Sequence, residues 1–517
     1  FYTATADGSI AAGKPVIVTA PGAPTISSEV EFESGAINEC AGTFDSSNNK
    51  VVFAYQDSGN SNYGTAVVGT ISGDAITFGS PVVFESADSQ NIRATFDSSN
   101  NKVVIVYADF GNSGYGTAIV GTVSGTSISF GTATSFHNGA FAVDTGDVTF
   151  DNSNNKVVVG YQNDGNSNYG TARVGTVSGT SISFGSEVVF NSASTNKVSA
   201  TFDSNNNKVI FTYADGGASN RGSVIQGTVS GTSISFGSQN AYENGDTTFT
   251  AATFDTSTNK IIVAYVDNDD SGKGKIVSME TSGTNVLVTG NVAVFNDANT
   301  NEISIAYDAA ANKIGIAFND AAESSHGRFM YATVSGVNIT LTDEATFNAA
   351  TIDGNIGIAY DSSAERIAIG FRDEGDSFKG KSVVAINDVG GKVKAITGSN
   401  GGGGTPVVFE SADSEDIAVV YDSNAEKVVI VYRDRGNSDY GTAIVGTVDP
   451  SDNSISFGSA AVFESADSYL MSAAYDSNAQ KVVIVYRDGG NSQYGTAIVG
   501  TVSGTSISFG TAVVFES

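Results

Sequence analysis

The stretch YRDGGNSQYGTAIVGTV, Tyr486 to Val502, decides the fold, because the chain spells it almost unchanged from Tyr432 to Val448 and again from Tyr107 to Val123. A phrase repeated at this length marks an array of supersecondary units, none of which can bury its faces alone. Extending the phrase in both directions gives nine copies, each anchored on an aromatic–Asp pair at Asp45, Asp97, Asp151, Asp203, Asp255, Asp308, Asp361, Asp422 and Asp476. The spacing is 52 to 54 residues, except for one step of 61 between Asp361 and Asp422. That step holds GSNGGGGTP (398–406), which reads as a surface loop or short linker.

Each copy carries the same four-part hydropathy. In the second copy IRATFD (92–97) alternates apolar and polar as a strand does, and SSNN is a turn. KVVIVY (102–107) is an unbroken β-branched run, expected of a strand buried on both faces. DFGNSGYG is a polar loop, TAIVGTV (117–123) a third strand, SGTS a tight turn, and SISFG (127–131) begins a fourth. A short run such as PVVFES or AVVFES closes most copies. No stretch shows the 3.6-residue period of a helix. The predicted fold is therefore all-β: nine four-stranded antiparallel units of about 52 residues, read as β-propeller blades.

Three arrangements fit the pattern: one large ring, which is favoured, an open or spiral stack, or a smaller ring with an extra module. Nine exceeds the usual four to eight blades. TISSEVEFES (25–34) matches the close of a repeat, so it is either the leftover last strand of a unit upstream or a strand that completes a unit elsewhere. Residues 1–34, with their KPVIVTA run, read as a β lead-in or attachment segment, and residues 35–517 as the array, most divergent over about 246–400.

The 517 residues include 60 Gly, 20 Tyr, 30 Phe and no Trp, with a formal net charge of -30. That charge repels phosphate backbones and anionic lipid, so nucleic-acid binding and direct membrane insertion are not expected. No apolar run is long enough to span a bilayer and no signal peptide is visible, although the chain also lacks an initiator Met. The single cysteine, Cys40, stands where other copies have Ile92, Val198, Ile303, Ile356 or Ile417, and reads as a small buried hydrophobe.

Comparing copies within the chain isolates what the unit needs. Twelve residues after the anchor stand Asp57, Asp109, Asn163, Asp215, Asp267, Asp320, Asp373, Asp434 and Asp488. Sixteen after it all nine copies have Ser, and nineteen after it all nine have Gly. Asp and Ser suit turn capping, and Gly suits a positive φ or a close approach of backbone. A basic residue at position +5, Lys in every copy except Arg366, is expected to make a rim ion pair with the nearby aspartates. The alternative for the eight aspartates is a Ca²⁺ loop, since carboxylates and carbonyls are hard oxygen ligands, yet one carboxylate per loop is a thin ligand set. No other cofactor is indicated.

Position +18 varies in an ordered way: Tyr63, Tyr115 and Tyr169, then Arg221, Lys273, His326 and Lys379, then Tyr440 and Tyr494. If the loops share one rim, this is a tyrosine arc and a basic arc. Tyrosines flanked by Asn and Asp suit a sugar, whose C–H face packs on the ring while polar neighbours take the hydroxyls. No Ser/His/Asp spacing, cysteine nucleophile or zinc cluster is present, and the two histidines, His137 and His326, sit in unlike contexts. The expectation is a non-enzymatic protein.

The phrases YDSNAQKVVIVYRDGGNSQYGTAIVGTVSGTSISFGTAVVFES and ADSxxI resemble the repeats of tail-fibre-like and other virion proteins of marine bacteriophages, and ATADGSIAAGKPVIVTA is similar to segments that open phage structural proteins. The resemblance covers about 35–517 well and the lead-in loosely. It implies a component of the virion surface, extracellular in location, with other virion proteins and host surface glycan as partners and homo-oligomers as a form. It assigns no individual residue. A secreted or cell-surface lectin-like propeller of a marine bacterium is the alternative reading, and a polysaccharide-active glycosidase the second alternative.

Overall fold

The computed structural model describes residues 16–18, 23–141, 145–387, 393–395, 407–449 and 454–516. All of its regular structure is β-strand apart from single 3₁₀ turns. The repeat boundary runs through the middle of a strand. Val82–Asp97 pairs by its first half with the third strand of one sheet, Tyr63–Ser72, and by its second half with the second strand of the next, Lys102–Asp109. Each sheet is thus an inner, a second and a third strand, closed by a composite outer strand: a short hairpin arm such as Ala75–Phe78, then the VVFES run that crosses to the neighbour. This is the propeller blade that the sequence predicts.

Seven blades, anchored on Asp45 through Asp361, form a closed circuit. The closure uses the N-terminal segment. Thr25–Ile26 and the first half of Val30–Asp45 pair with Lys379–Ile386, the third strand of blade 7, in register Val30 to Ser382 and Glu31 to Lys381, while the second half of the same strand pairs with Lys50–Asp57 of blade 1. Residues 25–34 are therefore the outer strand of blade 7. The ring of nine favoured by the sequence is a ring of seven, and the physical reason is edge satisfaction. Blade 7 lacks its own closing phrase ahead of the glycine-rich stretch, so the unpaired edge of Lys379–Ile386 accepts the N-terminal strand. The last two repeats form a separate unit, a nine-stranded open sheet system over Ser414–Glu516. The strand Val16–Val18 lies in a two-stranded sheet with Val393–Ala395; most of the lead-in and the insertion 398–406 fall outside the described residues.

The core lies between blades. Val103, Val104, Ile105, Val106 and Tyr107 are all fully buried, because both faces of the second strand are covered. Val52, Ala54, Ala66 and Val68 of blade 1 pack on Phe84, Ile92, Val103, Ile105, Tyr107 and Ile119 at blade 2. The seam between blades 7 and 1 repeats this, with Ala359, Ala368 and Val384 against Ile37, Cys40, Val51, Phe53 and Tyr55. Cys40 is buried there and unpaired, as its alignment with isoleucines predicts, and burial pushes its thiol up to about 12.

Two invariants find their reasons in this packing. The anchor Asp caps the turn after the inner strand: Asp45 Oδ1 accepts the backbone N–H of Ser47 at 2.9 Å and of Asn48 at 3.1 Å. The +19 glycine leaves room for the closing phenylalanine, since a Cβ on Gly64 would stand 2.4 Å from the Phe84 ring and one on Gly170 2.5 Å from Phe190. The +5 cation differs from expectation. Lys260 reaches Glu280 at 2.6 Å and Arg366 reaches Asp74 at 3.0 Å, so these pairs run to the third strand and a neighbouring hairpin rather than to the turn aspartates.

Candidate functional site

The loop between second and third strands is built identically around the ring. The strand ends at the +12 residue, one 3₁₀ turn follows, and the +16 serine takes the left-handed conformation, with φ of 59° at Ser61 and 60° at Ser113. The third strand then begins at the +18 residue in every copy. The +12 side chain is spent on this turn: Asp109 Oδ1 accepts Asn112 N–H at 3.1 Å, Asp267 Oδ1 accepts those of Asp269 and Asp270 at 3.0 and 3.2 Å, and Asp373 Oδ1 accepts that of Gly375 at 2.9 Å. Asp215, Asp320 and Asp488 cap in the same way. These aspartates lie one per blade, and among the described residues no group of three or more His, Cys, Asp or Glu side chains could hold a metal ion.

Beside the +12 residue of blades 1, 2 and 5 lies the glutamate of the preceding closing phrase, Glu33, Glu85 and Glu243. Tyr55 donates its hydroxyl to Glu33 at 3.0 Å, Tyr107 to Glu85 at 3.0 Å and Tyr265 to Glu243 at 3.1 Å. This stitches blade to blade and crowds two carboxylates. Burial, then the charge of Glu33, raises the pKa of Asp57; burial raises that of Glu85 against the donation from Tyr107, with Asp109 adding to the rise. In blade 5 a lysine relieves the crowding, Lys275 meeting Asp267 at 2.6 Å, and in blade 7, where Asn348 replaces the glutamate, Lys381 lies between Asp373 at 2.6 Å and Glu29 at 3.1 Å. At the junction of blades 2 and 3 buried His137 takes the glutamate's place, 2.9 Å from Asp164 and with its ring tilted against Tyr161 at 4.9 Å, and ahead of blades 4, 6 and 7 Asn191, Asn296 and Asn348 take it.

The +18 residues open the third strands at the same end of all seven blades, so the ring carries a contiguous tyrosine run, Tyr63, Tyr115 and Tyr169, followed by Arg221, Lys273, His326 and Lys379. All are half-buried. Tyr440 and Tyr494 hold the same position in the separate two-blade unit. The basic run is neutralised internally: Arg221 lies 3.7 Å from Asp215, Lys273 pairs with Asp297 at 2.9 Å and Asp270 at 3.2 Å, and Lys379 pairs with Glu31 at 3.1 Å.

The inner strands surround a central cavity of about 240 Å³ lined by all seven blades, with Arg93, Asp147, Lys197, Phe249 and Glu302 among its walls. Inter-blade bonds cross it. Glu39 Oε2 accepts Ile92 N–H at 2.9 Å and Asp147 Oδ2 accepts Ala200 N–H at 2.8 Å. Desolvation raises the pKa of Asp147 against the charge of Arg93 and the donors of Ala200, Val148 and Ser199.

A second cavity, of about 360 Å³, breaks the ring's pseudo-symmetry. It opens at the seam of blades 7, 1 and 2 and is lined by Asn38, Glu39, Gln56, Asn62, Gln90, Asp353, Gly354, Asn355 and Arg372, with Glu302 contributed by blade 6. Its side chains are pre-set by one another. Asn38 donates to Gln56 Oε1 at 2.7 Å, Gln56 donates to Asp88 Oδ1 at 2.6 Å, Gln90 reaches Asp88 Oδ2 at 3.2 Å, and Arg372 pairs with Asp353 at 3.3 Å. Asp88 stands opposite Tyr63 in the strand register, which ties the pocket to the tyrosine run. Arg372 also stacks 4.5 Å over the half-exposed ring of Phe378. Sequence reasoning at +18 did not find these residues. Position +11 gave only a partial signal: it holds Gln56 and Arg372 here and Ala108, Ala214 and Val266 elsewhere, but also Gln162, Asn319, Arg433 and Arg487.

No protein-family model and no curated protein matches the chain. Among solved structures it is similar to Sqt1 of Saccharomyces cerevisiae, at 9% identity and a TM-score of 0.39, covering 70% of this chain and 99% of that one. It is also similar to the SapL1 lectin in complex with alpha methyl fucoside, at 14% identity and a TM-score of 0.37, covering 62% and 98%, and to a triple mutant of AofleA from Arthrobotrys oligospora, at 10% identity and a TM-score of 0.39, covering 63% and 92%.

Proposed function

We propose that the seven-bladed ring is a non-enzymatic carbohydrate-binding module that takes its ligand in the pocket at the seam of blades 7, 1 and 2. The observation that carries this reading is the lining: five primary amides, three carboxylates and one guanidinium converge on one cavity. A sugar hydroxyl both donates and accepts, and amides beside carboxylates offer both partners at close spacing. The carboxylates are committed to holding the pocket's shape, Glu39 to a backbone N–H and Asp353 to Arg372, rather than standing free as an acid and base pair. Three carboxylates against one guanidinium, on a chain of net charge -30, select neutral sugars over uronic or sialic acids. The resemblance to phage virion proteins makes host-cell surface glycan the first ligand class to test.

The test is a glycan panel followed by calorimetric titration, with calcium and with chelator, on the wild type and on Arg372→Ala and Gln56→Ala. Alanine stands at the corresponding position in blades 2 and 4, as Ala108 and Ala214, so the blade accepts it. Loss of hydrogen bonds to these groups is expected to weaken binding by about tenfold or more in each variant, with melting nearly unchanged. Saturable binding that survives both substitutions places the ligand elsewhere, and Tyr63→Ala then tests the tyrosine run.

A further inference from the structure

Just before the third strand, each blade of the ring turns through a left-handed residue whose carbonyl accepts an N–H of the strand that crosses to the next blade. Six blades fill this position with Asn62, Gly114, Asn168, Asn220, Gly272 and Ser325, at φ from 58° to 74°. Small and amide side chains tolerate that backbone. Blade 7 instead carries Phe378, at φ of 63°. A bulky side chain kept in a strained conformation that six sister blades avoid points to a task for that side chain. The task is not packing. Phe378 is 40% exposed, and among the described residues no aromatic ring pairs with it, whereas the closing rings Phe32, Phe84 and Phe190 each sit in a cluster. Its place follows from the symmetry of the ring. Asn62, the same position in blade 1, lines the seam pocket, and its carbonyl accepts Ser89 N–H at 3.0 Å, one residue before the lining Gln90. The Phe378 carbonyl accepts Ile37 N–H at 2.8 Å, one residue before the lining Asn38, and the Phe378 ring lies 4.5 Å from the guanidinium of the lining Arg372. Two equivalent turn residues thus bracket the pocket, one polar and one aromatic.

We propose that Phe378 is the stacking platform of the seam pocket and that it selects pyranoses of galacto configuration. This rests on the reading of the pocket as a sugar site. Every side chain that lines the pocket is polar, so the lining takes hydroxyls, and the aromatic face at the rim takes C–H bonds. A sugar that meets both must gather its C–H bonds on one side. The axial hydroxyl at carbon four of a galacto ring leaves a run of adjacent C–H bonds on a single face, whereas a gluco ring divides them between its two faces. Arg372 couples the two halves of the site. Asp353 at 3.3 Å and Glu374 at 3.6 Å hold its guanidinium, which backs the Phe378 ring while it lines the pocket.

The experiment is calorimetric titration of the full chain with methyl galactoside and methyl glucoside, on the wild type, Phe378→Asn and Phe378→Trp. Blades 1, 3 and 4 carry Asn at this position, so Phe378→Asn is expected to fold with a Tm equal to or above that of the wild type. The wild type is expected to prefer the galactoside by about tenfold, and Phe378→Asn to lose about that factor for the galactoside and little for the glucoside. The chain has no Trp, so Phe378→Trp adds a single fluorophore. It is expected to keep the preference, and its emission to shift saturably with galactoside at the Kd that calorimetry gives. A Phe378→Asn protein that keeps the wild-type preference overturns the platform; if Arg372→Ala and Gln56→Ala still weaken binding, the pocket remains a sugar site without it. A wild type that prefers the glucoside overturns the galacto selection. A wild type that binds neither sugar overturns this proposal, and the wider glycan panel then decides the pocket.

Discussion

Replacing Gly64 with alanine tests the packing logic of the repeat directly. The added Cβ would lie 2.4 Å from Phe84 Cε2, 2.6 Å from its Cζ and 2.9 Å from Ser89 Oγ. Phe84 has nowhere to go: it is 8% exposed and held by Tyr107 at 5.1 Å and Phe130 at 5.6 Å between ring centres. Overpacking of this kind costs about 1–3 kcal/mol. Spread over a cooperative ring of roughly 360 residues with about 2.1 cal/mol/K of unfolding entropy each, a cost of about 2 kcal/mol lowers Tm by about 3 °C. Two other glycines separate the causes. At Gly73 nothing lies within 4 Å but φ is +63°, so Gly73→Ala is expected to cost only about 1 kcal/mol, from the left-handed backbone. At Gly165 the nearest atom is Asn163 Oδ1 at 3.3 Å and φ is ordinary, so Gly165→Ala is expected to stay within about 0.5 kcal/mol. Differential scanning calorimetry of the three variants gives the order, and Phe84→Leu added to Gly64→Ala is expected to recover part of the loss. A Gly64→Ala protein as stable as Gly165→Ala would refute the account of why all nine copies keep this glycine.

Two further outcomes follow from buried ionisable groups. Cys40, its thiol pushed up to about 12 by burial, is expected to resist a thiol reagent at pH 8 and to react at once in guanidinium; rapid labelling of native protein would mean that the blade 7–blade 1 seam opens. Burial and neighbouring carboxylates raise Asp57 and Glu85 above their ordinary range, so the folded chain holds these protons more tightly than the unfolded one. Their contribution is full below the unfolded pKa and is lost as pH rises through the raised folded pKa, so Tm is expected to gain from these groups as pH falls from neutral into the ordinary carboxylate range of about 4. Glu85→Gln keeps an acceptor for Tyr107 and removes the charge. Its Tm is expected to exceed that of the wild type most at pH 7 and to converge on it in acid, and a gap that does not change with pH would show that Glu85 carries no such linkage.

Much of the blade was legible residue by residue. The run KVVIVY became a strand buried on both faces because only sheet neighbours on both sides can bury consecutive β-branched residues. The invariant Asp, Ser and Gly became a cap, a left-handed turn residue and a seat for a ring, roles that local chemistry limits to those residue types. The tyrosine and basic runs at +18 were readable as a series, but their state was not: Lys273 and Lys379 are neutralised by Asp297 and Glu31, which arrive from other strands. The pocket was less legible still. Asn38 and Gln56 belong to the first repeat and Asp353 and Arg372 to the seventh, and nothing local brings them together.

The sequence by itself determined the unit, because alternation, turn chemistry and close approach of backbone act over a few residues and are repeated nine times. Only the tertiary structure decided how many units share a ring. Every blade offers its neighbour the same apolar faces, so packing alone does not count to seven. The count is set where a strand edge is left unpaired and the N-terminal EVEFES segment comes back to satisfy it. That single closure sets blade 7 beside blade 1 and assembles the seam pocket, and the last two repeats form a unit of their own.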